Sequence, residues 1–279
     1  MRISEKTAAE RVALARHPQR PTTRDYIEAI FDDFFPLAGD RKNGEDASIL
    51  GGLAFFHGYP VTVIGHQKGR DLEENLKYRF GMPNPEGYRK AERLMLQAEK
   101  FHRPVITFVD TPGAYPGLKA EAGGQGEAIA RSIAVMARLR VPTISVFIGE
   151  GGSGGALAIG VSDKNIMLEN SIFSVLSPEG FATILWKDAG RWEEACEVMK
   201  LTAPDLAELG ICDVVIPETE EGAHKAKAYV FEAVEREIYS GLIHFGKTSG
   251  SALAKDRYKK LRNTGNFKRK AEKADHGRN

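Results

Sequence analysis

Apolar residues along this chain follow two periods. Short continuous runs alternate with longer stretches in which apolar side chains return every three or four positions. Residues 48–56 and 61–66 are apolar and partly β-branched, and His57-Gly-Tyr-Pro60 splits them, which predicts a hairpin. Residues 104–110 (PVITFVD) and 141–148 (VPTISVFI) read as strands buried on both faces, being short, uninterrupted and rich in β-branched residues. Residues 164–168, 172–176 and 213–217 give three shorter strands. The helical period predicts helices over 4–15, 23–35, 123–139, 156–161 and 223–239. Asn84-Pro85-Glu86 and Ser177-Pro178-Glu179 each set a cap, a first-turn proline and an acid in helix-start order. His17-Pro-Gln-Arg-Pro21 and Pro36 act as stops. Strands alternating with helices define an α/β chain, and paired strands before a helix (ββα) set it apart from a plain doubly wound sheet.

The length, 279 residues, suits one large domain or two small ones. The pattern divides it into an N-terminal helical segment (1–47), a central α/β domain (48–240) and a basic C-terminal tail (241–279). From Lys255 onward there are ten Lys/Arg and three Asp/Glu, a net +7, so the preceding body carries −6 of the overall +1. That near-neutral total gives no electrostatic case for nucleic acid or a membrane surface, and the tail reads as solvated or as a docking segment for an acidic or phosphate-bearing partner. The charged start is unlike a signal peptide, and the longest apolar runs are far short of the ~18 residues of a span. Two cysteines without a CxxC, Cys196 and Cys212, exclude a disulfide framework and a cysteine zinc site. The seven histidines show no metal-ligand spacing, so no metal is expected. A reducing, cytoplasmic setting follows.

Glycine changes the picture most: 29 of the 279 residues, clustered after the predicted strands. Gly149-Glu-Gly-Gly-Ser-Gly-Gly155 satisfies three motifs at once. Gly149, Gly151 and Gly154 fit the dinucleotide fingerprint, with Glu169 beyond the next strand, but two strand units precede it where the fingerprint belongs to the first. Gly151-x-Ser153-x-Gly155 fits a nucleophile elbow, with Asp213 and His224 or His244 as partners in chain order. All readings share one point: a strand runs into glycines at a helix N-terminus, where free N–H groups and the helix dipole favour an anion or a developing oxyanion. Gly151, Gly152, Gly154 and Gly155 are the candidate residues. Gly241-Leu-Ile-His-Phe-Gly246-Lys247-Thr248 matches a P-loop by letter, but it follows a helix, with Gly241 expected as that helix's C-cap. Lys68 and Arg70, in His66-Gln-Lys-Gly-Arg70, offer two cations for a carboxylate or phosphate, against a plain solvated turn. Tyr115, in Asp110-Thr-Pro-Gly-Ala-Tyr-Pro-Gly117, is a packing or stacking group.

Taken together, His17–Pro21, Ala38-Gly-Asp-Arg41, Ile64-Gly-His-Gln-Lys-Gly-Arg70, Phe80-Gly-Met-Pro83, Pro85-Glu-Gly-Tyr-Arg-Lys90, and the segments 110–117, 149–160 and 177–180 resemble one family, the carboxyltransferase α subunit of multi-subunit bacterial and plastid acetyl-CoA carboxylase. The resemblance implies a crotonase-like spiral of ββα units with flanking helices. It also implies transfer of a carboxyl group from carboxybiotin on a biotin carboxyl carrier protein to acetyl-CoA, giving malonyl-CoA, the first committed step of fatty-acid synthesis. A β subunit, in an α2β2 assembly, would handle acetyl-CoA and hold zinc. A biotin carboxylase component would use ATP, and this chain would bind no cofactor of its own. The family's oxyanion glycines fall on Gly154 and Gly155, with Gly151, Gly152, Lys68, Arg70 and Tyr115 beside the biotin. A stand-alone hydratase or hydrolase acting on an acyl-CoA, or a non-catalytic scaffold subunit, are the other readings; neither Glu121, Glu127 nor Glu150 is singled out as an acid or base.

Overall fold

A computed structural model describes residues 3–265. In chain order these form α1 (Ala8–Ala15), α2 (Thr23–Ile30), β1 (Asp32–Pro36), β2 (Ile49–Phe56), β3 (Tyr59–His66), α3 (Leu72–Lys77), α4 (Pro85–Lys100), β4 (Val105–Thr111), α5 (Leu118–Ala122), α6 (Gln125–Arg138), β5 (Thr143–Gly152) and α7 (Ser153–Gly160). There follow β6 (Lys164–Leu168), β7 (Ile172–Ser174), α8 (Pro178–Trp186), α9 (Trp192–Met199), α10 (Ala203–Glu208), β8 (Val214–Ile216), α11 (Lys227–Phe245) and α12 (Gly250–Asn263).

One eight-stranded mixed sheet runs β1-β2-β3-β4-β5-β6-β8, with β7 paired to the far end of β5. β2 runs antiparallel to its neighbours β1 and β3, and from β3 onward neighbours are parallel. The β2–β3 hairpin closes through His57 and Gly58, both at positive φ (49° and 78°), as a two-residue turn matched to strand twist requires. Every residue of β4 is buried, because helices cover both faces. Ala91, Leu94 and Met95 of α4 pack with Val135 and Met136 of α6 and Ile159 of α7 on one side. Tyr26, Ile27 and Ile30 of α2 pack with Val230, Val234 and Ile238 of α11 on the other. The α/β class and the paired strands ahead of a helix are as the sequence pattern implies.

Several expected boundaries differ. The helix expected over 23–35 stops at Ile30: Phe31 is extended (φ −119°, ψ 148°), and Asp32–Pro36 pairs with β2 as the edge strand, where proline's missing N–H costs nothing. β1, inside the N-terminal segment expected to be helical, thus belongs to the sheet. The predicted strand over 172–176 ends at Ser174. Gly241 is no C-cap. It lies inside α11, where a Cβ would come within 2.7 Å of Ile144 Cδ1, and the helix ends instead at Gly246. The tail is partly structured. In α12 the fully buried Arg257 pairs with Asp163 (Nη2–Oδ2 2.7 Å) and donates to the carbonyls of Met136 (3.0 Å) and Leu139 (2.8 Å), which caps the C-terminal end of α6. The basic residues of 266–279 lie outside the described residues.

Candidate functional site

β3, β4 and β5 are adjacent and parallel, so their C-terminal ends deliver residues 66–70, 110–117 and 149–155 to one edge of the sheet. The β4–β5 ladder is regular to Val109↔Phe147 and then jumps to Thr111↔Gly151, leaving a bulge at Gly149-Glu150. Asp110 occupies the gap. Its Oδ1 accepts the Glu150 N–H (2.9 Å), and a Cβ on Gly149 would sit 2.4 Å from that oxygen, so only glycine leaves room for the carboxylate.

Lys68 Nζ bridges Asp110 Oδ1 (2.7 Å) and Glu150 Oε2 (2.8 Å). Arg16, just past α1, donates from Nε to Glu150 Oε1 (2.8 Å) and from Nη1 to Glu179 Oε1 (2.6 Å) in the first turn of α8. Burial alone would raise the Glu150 pKa, but Lys68 and Arg16 outweigh it and hold it at about 2. Burial lowers the Lys68 pKa, yet Asp110 and Glu150 lift it to about 12. These groups line a cavity of about 250 Å³ with His17, Arg20 and Phe80. His66 is fully buried; burial and then Lys68 drop its pKa to about 3, so it is neutral.

From Glu150 the chain turns into α7. Ser153 carries φ +50°, an unusual conformation for a residue with a side chain. The cap residue Gly152 offers no side-chain acceptor, and the N–H groups of Ser153, Gly154 and Gly155 have no partner one turn back. Gly154 faces an open groove of about 270 Å³ walled by Leu157, Phe173, Val175, Leu206 and Ile211. The arrangement can hold an anion, or an oxygen gaining charge, at the dipole's positive end, with an apolar wall alongside.

The two candidate glycines differ. A Cβ on Gly154 would touch only Ile129 Cγ2, at 3.3 Å. On Gly155 it would press the Ala114 N, the Gly113 carbonyl carbon and Tyr88 Oη, each at 2.9 Å. Gly151 and Gly152 line a narrow cleft with Arg16, Pro112 and Ser177, and a Cβ on Gly152 would fall 2.1 Å from Pro112 O.

Lys68 and Arg70 do not converge. Lys68 points into the cavity already paired, whereas Arg70 turns outward to Asp25 Oδ1 (2.5 Å). Tyr115 is tied at its backbone to Pro83 O (3.0 Å), its ring lies against Gly117, and it is 37% exposed. Asp110, Glu150 and Arg16 were missed as a set, because Arg16 and Glu150 lie 134 positions apart and local patterning carries no trace of that pairing.

The alternative motifs lose their partners. Asp213 is taken by Lys260 and the Asn165 N–H, His224 stacks on His17 (3.8 Å), and His244 lines a cavity between α11 and α12, so none meets Ser153 at its groove. Glu169 is buried against Arg11 (3.1 Å) instead of facing a ribose. Gly241–Phe245 is helix, with no strand before it. Lys247→Ala is accordingly expected to leave activity within a few-fold of the parent; tight ATP binding that this change abolishes, measured by calorimetry, would contradict the assignment. Among the described residues no group of three His, Cys, Asp or Glu is placed to hold a metal, and no helix is long and apolar enough to cross a membrane.

The family model described as acetyl co-enzyme A carboxylase carboxyltransferase-like matches residues 2–265. Acetyl-coenzyme A carboxylase carboxyl transferase subunit alpha from Halalkalibacterium halodurans is 55% identical over 258 residues, covering 92% of this chain and 79% of that one. The subunits of the same name from Geobacillus thermodenitrificans (55% over 259 residues, 93% and 80% covered) and Bacillus cereus (56% over 256 residues, 92% and 79% covered) are equally similar. Among solved structures, transcarboxylase 12S superposes with a TM-score of 0.69 at 20% identity over 88% of this chain, which spans about half (45%) of that one. A Pseudomonas malonate decarboxylase hetero-tetramer in complex with coenzyme A gives 0.65 at 21% identity, covering 85% and 92%. At such identities the likeness is one of fold, the crotonase-like carboxyltransferase fold.

Proposed function

This chain belongs to the family of acetyl-coenzyme A carboxylase carboxyl transferase α subunits, and on that premise we propose that it transfers a carboxyl group from carboxybiotin on a carrier protein to acetyl-CoA, forming malonyl-CoA, in a complex with a β subunit. The observation that carries the reading is the first turn of α7, which has no side-chain cap and sets Ser153 and Gly154 at the edge of an apolar groove. Biotin supplies an activated carboxyl group whose loss puts negative charge on its ureido oxygen. Fixed amides at a helix N-terminus stabilise such charge without reorganising. The glycine at 154 leaves the groove open for a flat ring beside Leu157 and Phe173.

In this reading Gly151 and Gly152 shape the approach, while Lys68 acts through Glu150 on the loop and does not itself meet the substrate. Arg70 and Tyr115, both exposed, would meet the carrier. The assembly would be α2β2, with zinc on the β subunit, acetyl-CoA bound on the β side, and a separate biotin carboxylase using ATP to load the carrier. Cys196 and Cys212, both buried and free, suit the reducing cytoplasm. Among the described residues no carboxylate or histidine lines the groove, which favours a shared site over a stand-alone hydratase. The purified chain is therefore expected to form malonyl-CoA only when β is added. Robust transfer by the chain alone would overturn the shared site, and folded mixtures with no transfer would favour the scaffold role.

A further inference from the structure

We propose that Arg16 is a positioning residue for this site: carried on the segment after α1, it sets the glycine loop ahead of α7 by gripping Glu150, and ties that loop to α8 through Glu179. The proposal rests on the functional reading above for its activity arm only.

Arg16 acts through Glu150. Glu150 sits in the bulge near the C-terminal end of β5, one residue before Gly151, so its orientation sets the path into the first turn of α7. Its own N–H is fixed by Asp110, and its two carboxylate oxygens are taken by different cations, Oε2 by Lys68 and Oε1 by Arg16. Lys68 is shared between two carboxylates, so it cannot fix Glu150 alone. The second cation decides the orientation.

Arg16 then uses its remaining nitrogens on both oxygens of Glu179, Nη1–Oε1 at 2.6 Å and Nη2–Oε2 at 3.3 Å. Such a fork fixes direction as well as distance. One guanidinium thus joins the end of β5 to the start of α8, and it forms the wall shared by the 250 Å³ cavity and the cleft of Gly151 and Gly152.

The anchoring of α1 itself does not need Arg16. Arg11 is buried on Glu169 and Asn170 (both 3.1 Å), the Ala8 N–H reaches Glu197 (2.8 Å), and Val12 and Ala15 pack with Ile172, Cys196 and Leu201. Downstream, Arg20 is held by Glu218 (2.6 Å). The strap stays docked on either side of position 16, so the residue can be changed with the fold kept.

The charged groups facing Glu150 are Lys68 after β3, Asp110 at the end of β4 and Arg16 after α1, with Glu179 of α8 behind Arg16. Removing Arg16 removes one of two cations and leaves two carboxylates on Lys68. Glu150 then takes a proton at higher pH, which loosens the loop as pH falls.

The test compares the wild type, Arg16→Gln and Arg16→Lys, each assembled with the β subunit. For Arg16→Gln the expected result is a roughly tenfold lower kcat for carboxyl transfer with the KM for acetyl-CoA unchanged, and an acid limb displaced to higher pH. Arg16→Lys should restore the acid limb and part of kcat. Hydrogen exchange needs no activity: amides of 148–160 should exchange faster in Arg16→Gln, while those of α4 keep their protection and Tm stays within a few degrees. Unchanged kcat and loop exchange in Arg16→Gln would overturn the proposal. So would loss of protection throughout the molecule with a matching fall in Tm, which marks a merely structural strap, or an acid limb that lysine's charge does not restore. If the wild-type complex itself transfers nothing, the functional reading fails, and the exchange experiment still decides the role of Arg16.

Discussion

Gly154→Ala is expected to give a folded subunit that assembles with β and transfers carboxyl groups on the order of 10² times more slowly. The fold should tolerate the methyl group. Its nearest neighbour would be Ile129 Cγ2 at 3.3 Å, a side-chain atom that can give by a few tenths of an ångström, and alanine in a first helical turn is a better helix former than glycine. The N–H at 154 survives the change, but the residue borders the groove that the substrate ring is proposed to enter. Crowding there moves the charged oxygen away from its donors, and losing one such donor typically costs on the order of 10²–10³ in kcat. Gly155→Ala is a different experiment. Its methyl would strike the backbone at 113–114 and the buried Tyr88, and overpacking of this kind costs typically about 1–3 kcal/mol. Stability and activity should fall together in that variant, so it cannot report on an oxyanion role. Thermal melts, a sizing column and kcat on both variants separate the two behaviours. A near-normal kcat in folded Gly154→Ala would remove this residue from the site.

What the sequence could reveal follows from the range of each interaction. The strands at 104–110 and 141–148 were legible because burial on both faces leaves an unbroken apolar run. The glycine loop was legible because a strand entering a helix through consecutive glycines has few other uses. The edge strand β1 was not. Asp32-Asp-Phe-Phe-Pro36 continues the period of α2, and Pro36 stops a helix and suits a sheet edge equally well. Gly241 looked like a helix end because its true role, contact with Ile144, is tertiary. The ion-pair cluster is the extreme case. Lys68 stood out beside Gly69, but its partner Glu150 lies 82 positions away, and the pairing depends on the bulge that Asp110 fills. Charged residues next to glycines look solvated until the fold is known, and here the fold turned an apparent surface cation into the centre of a half-buried network.

Arg20→Met is expected to destabilise the protein by about 3–5 kcal/mol at neutral pH, the cost of leaving one member of a buried ion pair alone. For a domain of this size roughly 2–4 °C of Tm accompanies each kcal/mol, so the melt should move by on the order of 10 °C. Both side chains are almost fully buried, and the pair is two-pronged, Nη2–Oε1 at 2.6 Å and Nη1–Oε2 at 3.0 Å. Arg20 Nε also donates to the Ile148 carbonyl within β5, and Glu218 accepts the N–H groups of Asn170 (3.0 Å) and Ala223 (2.6 Å). The pair therefore joins the N-terminal strap, β5 and the segment after β8. Burial by itself would raise the Glu218 pKa, but Arg20 reverses this and holds it below the ordinary carboxylate range. A carboxyl group lowered on folding contributes stability above its unfolded pKa of about 4.3, and that contribution is lost as pH falls toward the folded value. In Arg20→Met the sign inverts. Glu218 keeps its burial and loses its cation, so its folded pKa rises above 4.3, and the penalty appears as pH climbs through the unfolded value. The difference in Tm between parent and variant should be large at pH 7 and shrink toward pH 4.5. Changing Glu218→Gln in the same chain should recover part of the loss at pH 7, because a neutral amide needs no cation and its single oxygen still accepts one of the two backbone N–H groups. A Tm difference that is the same at both pH values, with no recovery in the double variant, would mean that lost packing and not the uncompensated charge sets the cost.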